Sequence, residues 1–248
     1  PVGDAMRIEI SRQESSELCR QYGIPAPDFH HVQNRLEARK LMQDDPRPYV
    51  LKNPICSPFS PIHAIICESV ADTLGWIERV DYAEGLFLQE YLGKEEAGHF
   101  VFISGGEINS LVTNQEFKRA FTGDMGPLAG APLAGIVEQD PEDKYGLARE
   151  LIHPLKPWFE KTDYTGPLQV TAIRKNGVWH AIEYNIRLGV TTTALLLRML
   201  KNPVKTLLNV VRNQTPVLEW YSEKYFGCSL TLAGYGYPYV VPSVPKLP

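Results

Sequence analysis

Glu183, Asn185 and Arg187 alternate with apolar residues in the run Ile182-Glu183-Tyr184-Asn185-Ile186-Arg187-Leu188-Gly189. Successive side chains of a strand point to opposite faces, so these three polar groups share one face and Ile182, Tyr184 and Ile186 share the other. Strand rise spaces the polar groups about 7 Å apart. A carboxylate and an amide oxygen suit a hard cation such as Mg²⁺, and a guanidinium suits a phosphate or carboxylate. Such a row is hardware for phosphoryl transfer, a reaction that needs charge neutralisation more than covalent help. The solvated outer face of an ordinary amphipathic strand shows the same alternation.

The elements that would position this row are legible from periodicity and punctuation. Ser11-Arg12-Gln13-Glu14 has the spacing of a capping box, and Gly23 before Ile24-Pro25 is a helix stop, which predicts a helix over 12–22. A second helix is expected over 33–43 and a short strand over 49–52. The proline-studded stretch 53–61 suits neither helix nor central strand. Further expectations are a strand at 62–67, a helix at 69–80, and strands at 85–92, 99–104 and 107–113, the last two joined by Gly105-Gly106. Residues 121–135 read as a Gly- and Pro-rich loop, and 141–161 as a helix broken near Pro154 and Pro157. Asn176-Gly177 is a two-residue hairpin signal between strands at 168–174 and 178–187. Helices are expected at 191–200 and 203–211, and an extended tail at 240–248. Helices mixed with antiparallel hairpins make the class α+β.

Composition narrows the function classes. The 248 residues carry a net charge of -4, which is no electrostatic footprint for nucleic acid or an anionic membrane. No run of about 18 apolar residues offers a transmembrane helix. The scattered cysteines Cys19, Cys56, Cys67 and Cys228 form no C-x-x-C pair and read as reduced, buried residues of a cytoplasmic protein. The histidines share no metal-ligand spacing and are expected to be structural or exposed. The chain begins Pro1-Val2-Gly3 without a Met, so part of a longer or processed chain is expected.

Several words, in order, resemble the ATP-grasp superfamily, and within it the glycinamide ribonucleotide synthetase branch (phosphoribosylamine–glycine ligases). The row above is similar to that branch's I-E-[FY]-N-V-R-F-G-D-P-E. Leu88-Gln89-Glu90-Tyr91-Leu92-Gly93-Lys94-Glu95-Glu96 is similar to E-E-F-L-x-G-E-E. Gln115-Glu116-Phe117-Lys118-Arg119 resembles Q-D-H-K-R, and Thr122-Gly123-Asp124-Met125-Gly126-Pro127 resembles D-G-D-T-G-P. Tyr22-Gly23-Ile24-Pro25 and Trp220 through Gly236-Tyr237-Pro238 also fall in place.

The resemblance implies an ATP-grasp fold of two α+β subdomains clasping a nucleotide, with spans 9–87 and 88–211, and a C-terminal domain or tail starting over 212–248. It implies an ATP- and Mg²⁺-dependent ligase that joins a carboxylate to an amine through an acyl phosphate. By the same likeness Glu183 and Asn185 hold the metal, Arg12 and Lys52 contact ATP phosphates, and Lys118, Arg119 and Arg187 face the acyl phosphate or substrate anion. The backbone of Glu90, Tyr91 and Leu92 reads adenine, and Glu95 or Glu96 takes the ribose hydroxyls. The partners implied are small-molecule carboxylate and amine substrates, with no nucleic acid and no membrane, and with further domains beyond this chain.

The departures carry weight too. The family's Gly-rich phosphate loop is replaced by Cys56-Ser57-Pro58-Phe59-Ser60-Pro61-Ile62, whose prolines donate no N–H, so only Ser57 and Ser60 offer hydroxyl donors. F-G-D-P-E has become Leu188-Gly189-Val190-Thr191-Thr192, without its two acidic groups. Two other functions fit the same likeness: a non-catalytic ATP-grasp relative with a binding or scaffold role, and an amide ligase joining an amino acid to an amine outside purine synthesis.

Overall fold

A computed structural model describes residues 3–56, 64–123, 125–129 and 131–232. The chain opens with a 3-10 turn and two consecutive helices, α1 (Arg7–Ile10) and α2 (Arg12–Gln21). Ser11 caps α2 by accepting the Glu14 amide at 3.2 Å, and Gly23 at φ 65 ends the helix region, as the capping-box spacing predicts. There follow β1 (Phe29–Val32), α3 (Arg35–Asp44), β2 (Tyr49–Lys52), the two-residue β3 (Ile65–Ile66), α4 (Val70–Ile77) and β4 (Leu86–Glu90). The long antiparallel pair β5 (Glu96–Ser104) and β6 (Glu107–Phe117) turns at Gly105 and Gly106, both with positive φ.

Residues 121–135, expected to be loop, contain strand segments as well. After β7 (Arg119–Phe121) come β8 (Met125–Leu128) and β9 (Ala134–Gln139), with β7 and β8 paired as a small ribbon. Gly123 and Gly126 sit at positive φ there, so the glycines shape a tight ribbon instead of abolishing it. The helix expected at 141–161 is shorter and broken into α5 (Leu147–Leu151), a 3-10 turn at 153–155 and α6 (Lys156–Lys161). Asp143 at φ 52 and Gly146 at φ 77 delay its start, and Asp143 accepts the Ala148 and Arg149 amides. The hairpin β10 (Gly166–Lys175) and β11 (Val178–Asn185) turns on Asn176 and Gly177, both left-handed. Helices α7 (Val190–Met199) and α8 (Pro203–Val211) precede β12 (Phe226–Leu230).

Two sheets result. The smaller has the order β1-β4-β2-β3 and the larger β11-β10-β5-β6-β9-β12, with antiparallel neighbours throughout. Tyr49, Leu51, Leu86 and Leu88 turn one face of the small sheet onto α3 and α4 through Ala38, Met42 and Ile77. In the large sheet Leu168, Val170, Ala172, Val101 and Tyr184 pack on one face against Ile8, Leu18, Leu151 and Phe159 of α1, α2, α5 and α6. The opposite face packs Phe100, Phe102, Val112 and Val137 against Leu196, Met199 and Val210 of α7 and α8. Thus α2, which falls in the expected span 9–87, lies on the large sheet with α1, and residues 226–230 pair with β9.

Cys19 and Cys67 are buried, as expected, whereas Cys56 and Cys228 are exposed. No helix among the described residues is long and apolar enough to cross a membrane. The expected tail at 240–248 and the aromatic residues Tyr235, Tyr237 and Tyr239 lie outside the described residues.

His99, fully buried on β5, belongs to a polar network. Thr113 donates its hydroxyl to Asp140 at 2.7 Å, so at 2.8 Å it must accept from the Nδ1–H of His99. Asp140 and Asp143 lie close by, yet their oxygens already accept the Lys144, Ala148 and Arg149 amides and the Thr113 hydroxyl. With Nδ1 protonated, the trio is a loop clamp and not a metal cage. Burial pushes the imidazole pKa below its ordinary 6.5, against the pull of the two carboxylates. The unfolded chain therefore binds the extra proton first, and the contribution to stability is complete above 6.5 and lost as pH falls below it. Urea midpoints of His99→Gln should fall less steeply between pH 6.5 and 5 than those of the parent; parallel slopes would clear His99 of this role.

Candidate functional site

The polar face of β11 is held from beneath. Tyr184, fully buried, donates its hydroxyl to the Leu151 carbonyl at 2.7 Å and anchors the strand that presents Glu183 and Asn185. A β-bulge between Thr171 and Ala172 places Thr171 opposite Glu183 but Ala172 opposite Ala181. Strict alternation therefore fails at one residue: Ala181, Tyr184 and Ile186 form the core face, and Ile182 turns to line the cleft.

That cleft lies where the two sheets meet. It encloses about 370 Å³, part of it open to solvent, with Lys52, Phe87 and Gln89 of the small sheet facing Glu183 and Asn185 of β11, and Glu9 and Arg12 at one wall. Because Leu51 and Leu88 point into the small core, strand alternation turns Lys52 and Gln89 the other way. Lys52 is buried and donates to Gln89 Oε1 at 2.7 Å, while Gln89 reaches the Ile182 carbonyl at 3.4 Å. Arg12, first residue of α2, donates Nε to the Asn53 carbonyl at 2.9 Å, which brings the helix start against the end of β2.

The charges of this cleft answer one another. Burial, reinforced by Arg12, lowers the Lys52 ammonium to about 7. Burial alone would raise Glu183, but Lys118, Lys52 and Arg12 hold its carboxyl down to about 2. Lys118 pairs with Glu96 at 3.1 Å and Glu116 at 3.6 Å. Desolvation works against its charge, yet Glu96, Glu183 and Glu116 together raise its pKa. Glu116 is itself raised by burial, partly offset by Lys118. Three carboxylates, Glu96, Glu116 and Glu183, thus face three cations, Arg12, Lys52 and Lys118.

The other expected positions are placed as follows. Arg187 turns out of the cleft, half-exposed, donating to Glu9 at 2.7 Å and to Asn185 Oδ1 at 3.0 Å. Arg119 is taken up by the β7–β8 ribbon, on the Gly126 carbonyl. Glu90 pairs with Lys175 at 2.8 Å and Arg47 at 3.3 Å, tying the end of β4 to the β10–β11 hairpin. The Glu90 amide is committed to the Asp28 carbonyl and the Tyr91 amide to the Pro48 carbonyl, so an adenine-reading amide in this stretch has to be that of Leu92. Glu96 faces Lys118, whereas Glu95 is exposed. Ser57 and Ser60 lie outside the described residues.

A divalent cation fits the donors present. Glu183 has no ion pair within 4.0 Å among the described residues, and the buried hydroxyl of Thr171, its register partner, has no hydrogen-bond partner. A hard cation accepts both kinds of oxygen. Reading along the sequence missed Gln89, Glu116 and Glu9. A glutamine directly after the apolar run Leu86-Phe87-Leu88 was a visible signal, as was a glutamate at an inward strand position. Glu9 gave none, being 178 residues from Arg187.

Comparisons with known proteins bear on the family and the fold. The family model described as "Phosphoribosylglycinamide synthetase, ATP-grasp (A) domain" matches residues 11–193. The phosphoribosylamine–glycine ligase of Chlorobaculum tepidum is 26% identical over 96% of this chain and 59% of its own length, and that of Halalkalibacterium halodurans 27% over 95% and 57%. The chain thus spans just under three fifths of these curated relatives. Among solved structures, the phosphoribosylamine–glycine ligase of Thermotoga maritima superposes with a TM-score of 0.79 at 24% identity, covering 96% of this chain and 62% of that one. The biotin carboxylase domain of 2-oxoglutarate carboxylase from Hydrogenobacter thermophilus, solved with MgADP, gives 0.64 at 13% identity over 90% and 50%. With a family model matched across most of its length, the chain belongs to the phosphoribosylglycinamide synthetase ATP-grasp domain family.

Proposed function

We propose that this chain is the nucleotide-binding portion of an ATP- and Mg²⁺-dependent carboxylate–amine ligase similar to phosphoribosylamine–glycine ligase. The observation that carries the reading is the charge arrangement at the meeting of the sheets: Glu183, ionised and without a close ion pair, among Arg12, Lys52 and Lys118. Glu183 and Asn185 would hold the metal, which supplies charge neutralisation at the transferred phosphoryl group. Lys52 and Arg12 face the phosphates, and Lys118 sits where negative charge develops on the acyl group. A carboxylate oxygen attacks the γ-phosphorus and ADP leaves; the amine nitrogen then attacks the acyl carbon, and phosphate leaves as the nitrogen loses its proton. The backbone of Glu90 and Leu92 would read adenine, with Glu96 or Glu95 toward the ribose.

Mg-ATP should raise the thermal midpoint. A ligand at 100 times its Kd adds about 2.7 kcal/mol to the native state. No shift at millimolar nucleotide would point instead to a binding or scaffold relative whose proline-bearing phosphate loop no longer grips ATP. Phosphate released only on adding a carboxylate and a particular amine identifies the substrates, and an amine other than phosphoribosylamine would place the ligase outside purine synthesis.

Lys52 makes a further expectation. Its pKa lies near 7, and phosphate oxygens favour the charged form, so nucleotide binding at pH 8 should take up about one proton. Calorimetry in two buffers of different ionisation enthalpy reads this directly, and Lys52→Met should remove the uptake. Identical enthalpies in both buffers would separate Lys52 from the phosphates.

A further inference from the structure

Of the two expected metal ligands, Asn185 is already in contact with a cation, whereas Glu183 feels one only through space. The Asn185 Oδ1 atom, which a metal would need, accepts Arg187 Nη2 at 3.0 Å. Arg187 is fixed from its other side by Glu9 at 2.7 Å, and the second Glu9 oxygen accepts the Ile186 amide at 2.9 Å. Asn185 Nδ2 in turn lies 3.4 Å from Glu183 Oε1. On the other flank the Lys118 ammonium stands between Glu96 and Glu116 and acts electrostatically on Glu183. An amide oxygen has two lone pairs, so a cation could share it with Arg187 only by bringing like charges close together. A lone divalent ion would also unbalance three carboxylates and three cations. Phosphate oxygens arriving with it would restore the balance and offer Arg187 and Lys118 new partners.

We propose that Arg187, by its contact with Asn185, and Lys118, by its nearby charge, are resident counter-cations of the metal ligands, so that a free divalent ion binds weakly and enters only together with an anionic ligand that displaces Arg187 and offsets both charges. The proposal rests on the metal reading of Glu183 and Asn185. It makes metal and nucleotide binding thermodynamically coupled, and coupling between linked sites commonly amounts to about 5–150-fold.

The test is binding of Mn²⁺ alone, followed by the electron paramagnetic resonance of the free ion, in the parent chain, Lys118→Met, Arg187→Met and Glu183→Gln. Each neutral variant should bind Mn²⁺ about fivefold more tightly or better, the lower end of such coupling. Unchanged or weaker affinity in both overturns the proposal. Adding Glu183→Gln to the parent or to either variant should abolish the binding. If Mn²⁺ binding survives Glu183→Gln, the metal reading fails and the proposal with it. If Glu183→Gln abolishes binding but neither variant tightens it, the counter-cation proposal alone fails. Arg187 is half-exposed, so its variant keeps the test intact should Lys118→Met fold poorly, which circular dichroism would report.

Discussion

Glu183→Gln should lower Mg²⁺-dependent ATP turnover by about 10²–10³-fold or more, the loss usual for a pre-placed electrostatic group at a transition state. The substitution keeps the shape of the side chain and removes its charge. Lys118 retains Glu96 and Glu116 as partners, and Tyr184 still anchors β11 on Leu151, so the fold should persist. A steady-state assay with added Mg²⁺, beside a circular dichroism spectrum, checks both halves. Turnover at the parent rate would remove Glu183 from the metal. A second consequence follows from its pKa. Glu183 titrates near 2 in the fold against an ordinary 4.5, so its contribution to stability is complete above 4.5 and lost as pH falls toward 2. The variant should therefore lose less stability than the parent over that acid range.

Phe100→Ala should cost about 3–5 kcal/mol, a large share of the roughly 5–15 kcal/mol that holds a domain together. Phe100 is fully buried in the middle of β5 and packs against α7 and α8 in a cluster with Val112, Leu196 and Met199. Its ring also lies directly under Gly189, where an added Cβ would approach it to 3.0 Å. The cavity would therefore open under the join between β11 and α7, immediately beyond the polar row. Chemical denaturation gives the loss, and a shift under 1 kcal/mol would mean that the layer collapses around the gap. Nucleotide binding should weaken in the same variant, because the end of β11 loses its floor.

Local rules carried the helix cap and the hairpin turns well, whereas β1, β7, β8, β9 and β12 were not anticipated. Ser11 with Glu14, Gly105-Gly106 and Asn176-Gly177 each act over a few residues, and each behaves as its chemistry requires. Failures came where a residue's usual tendency met a particular backbone. Gly123 and Gly126 read as loop because glycine disfavours strands, yet their positive φ values shape the β7–β8 ribbon. The start of α5 was read too early because Asp143 and Gly146 adopt left-handed conformations that halt a helix. Ile182 left its expected face because a bulge opposite Thr171 shifts the pairing by one residue, and nothing within residues 178–187 announces a bulge set by the neighbouring strand.

By itself the sequence determined the family, the α+β class and the identity of the polar row on β11. Those rest on ordered words and on the period of a strand, which are properties of neighbouring residues. Tertiary structure alone decided which charges meet. Lys52, Glu96, Lys118 and Glu183 come from four separate segments, and their pKa values exist only because the fold buries them together. It also decided that Arg187, expected on the strand face of Asn185, lies beyond the end of β11 and pairs with Glu9. The physical reason is range: periodicity and capping act within a few residues, whereas electrostatic partnership depends on distance in space and on the water that packing excludes.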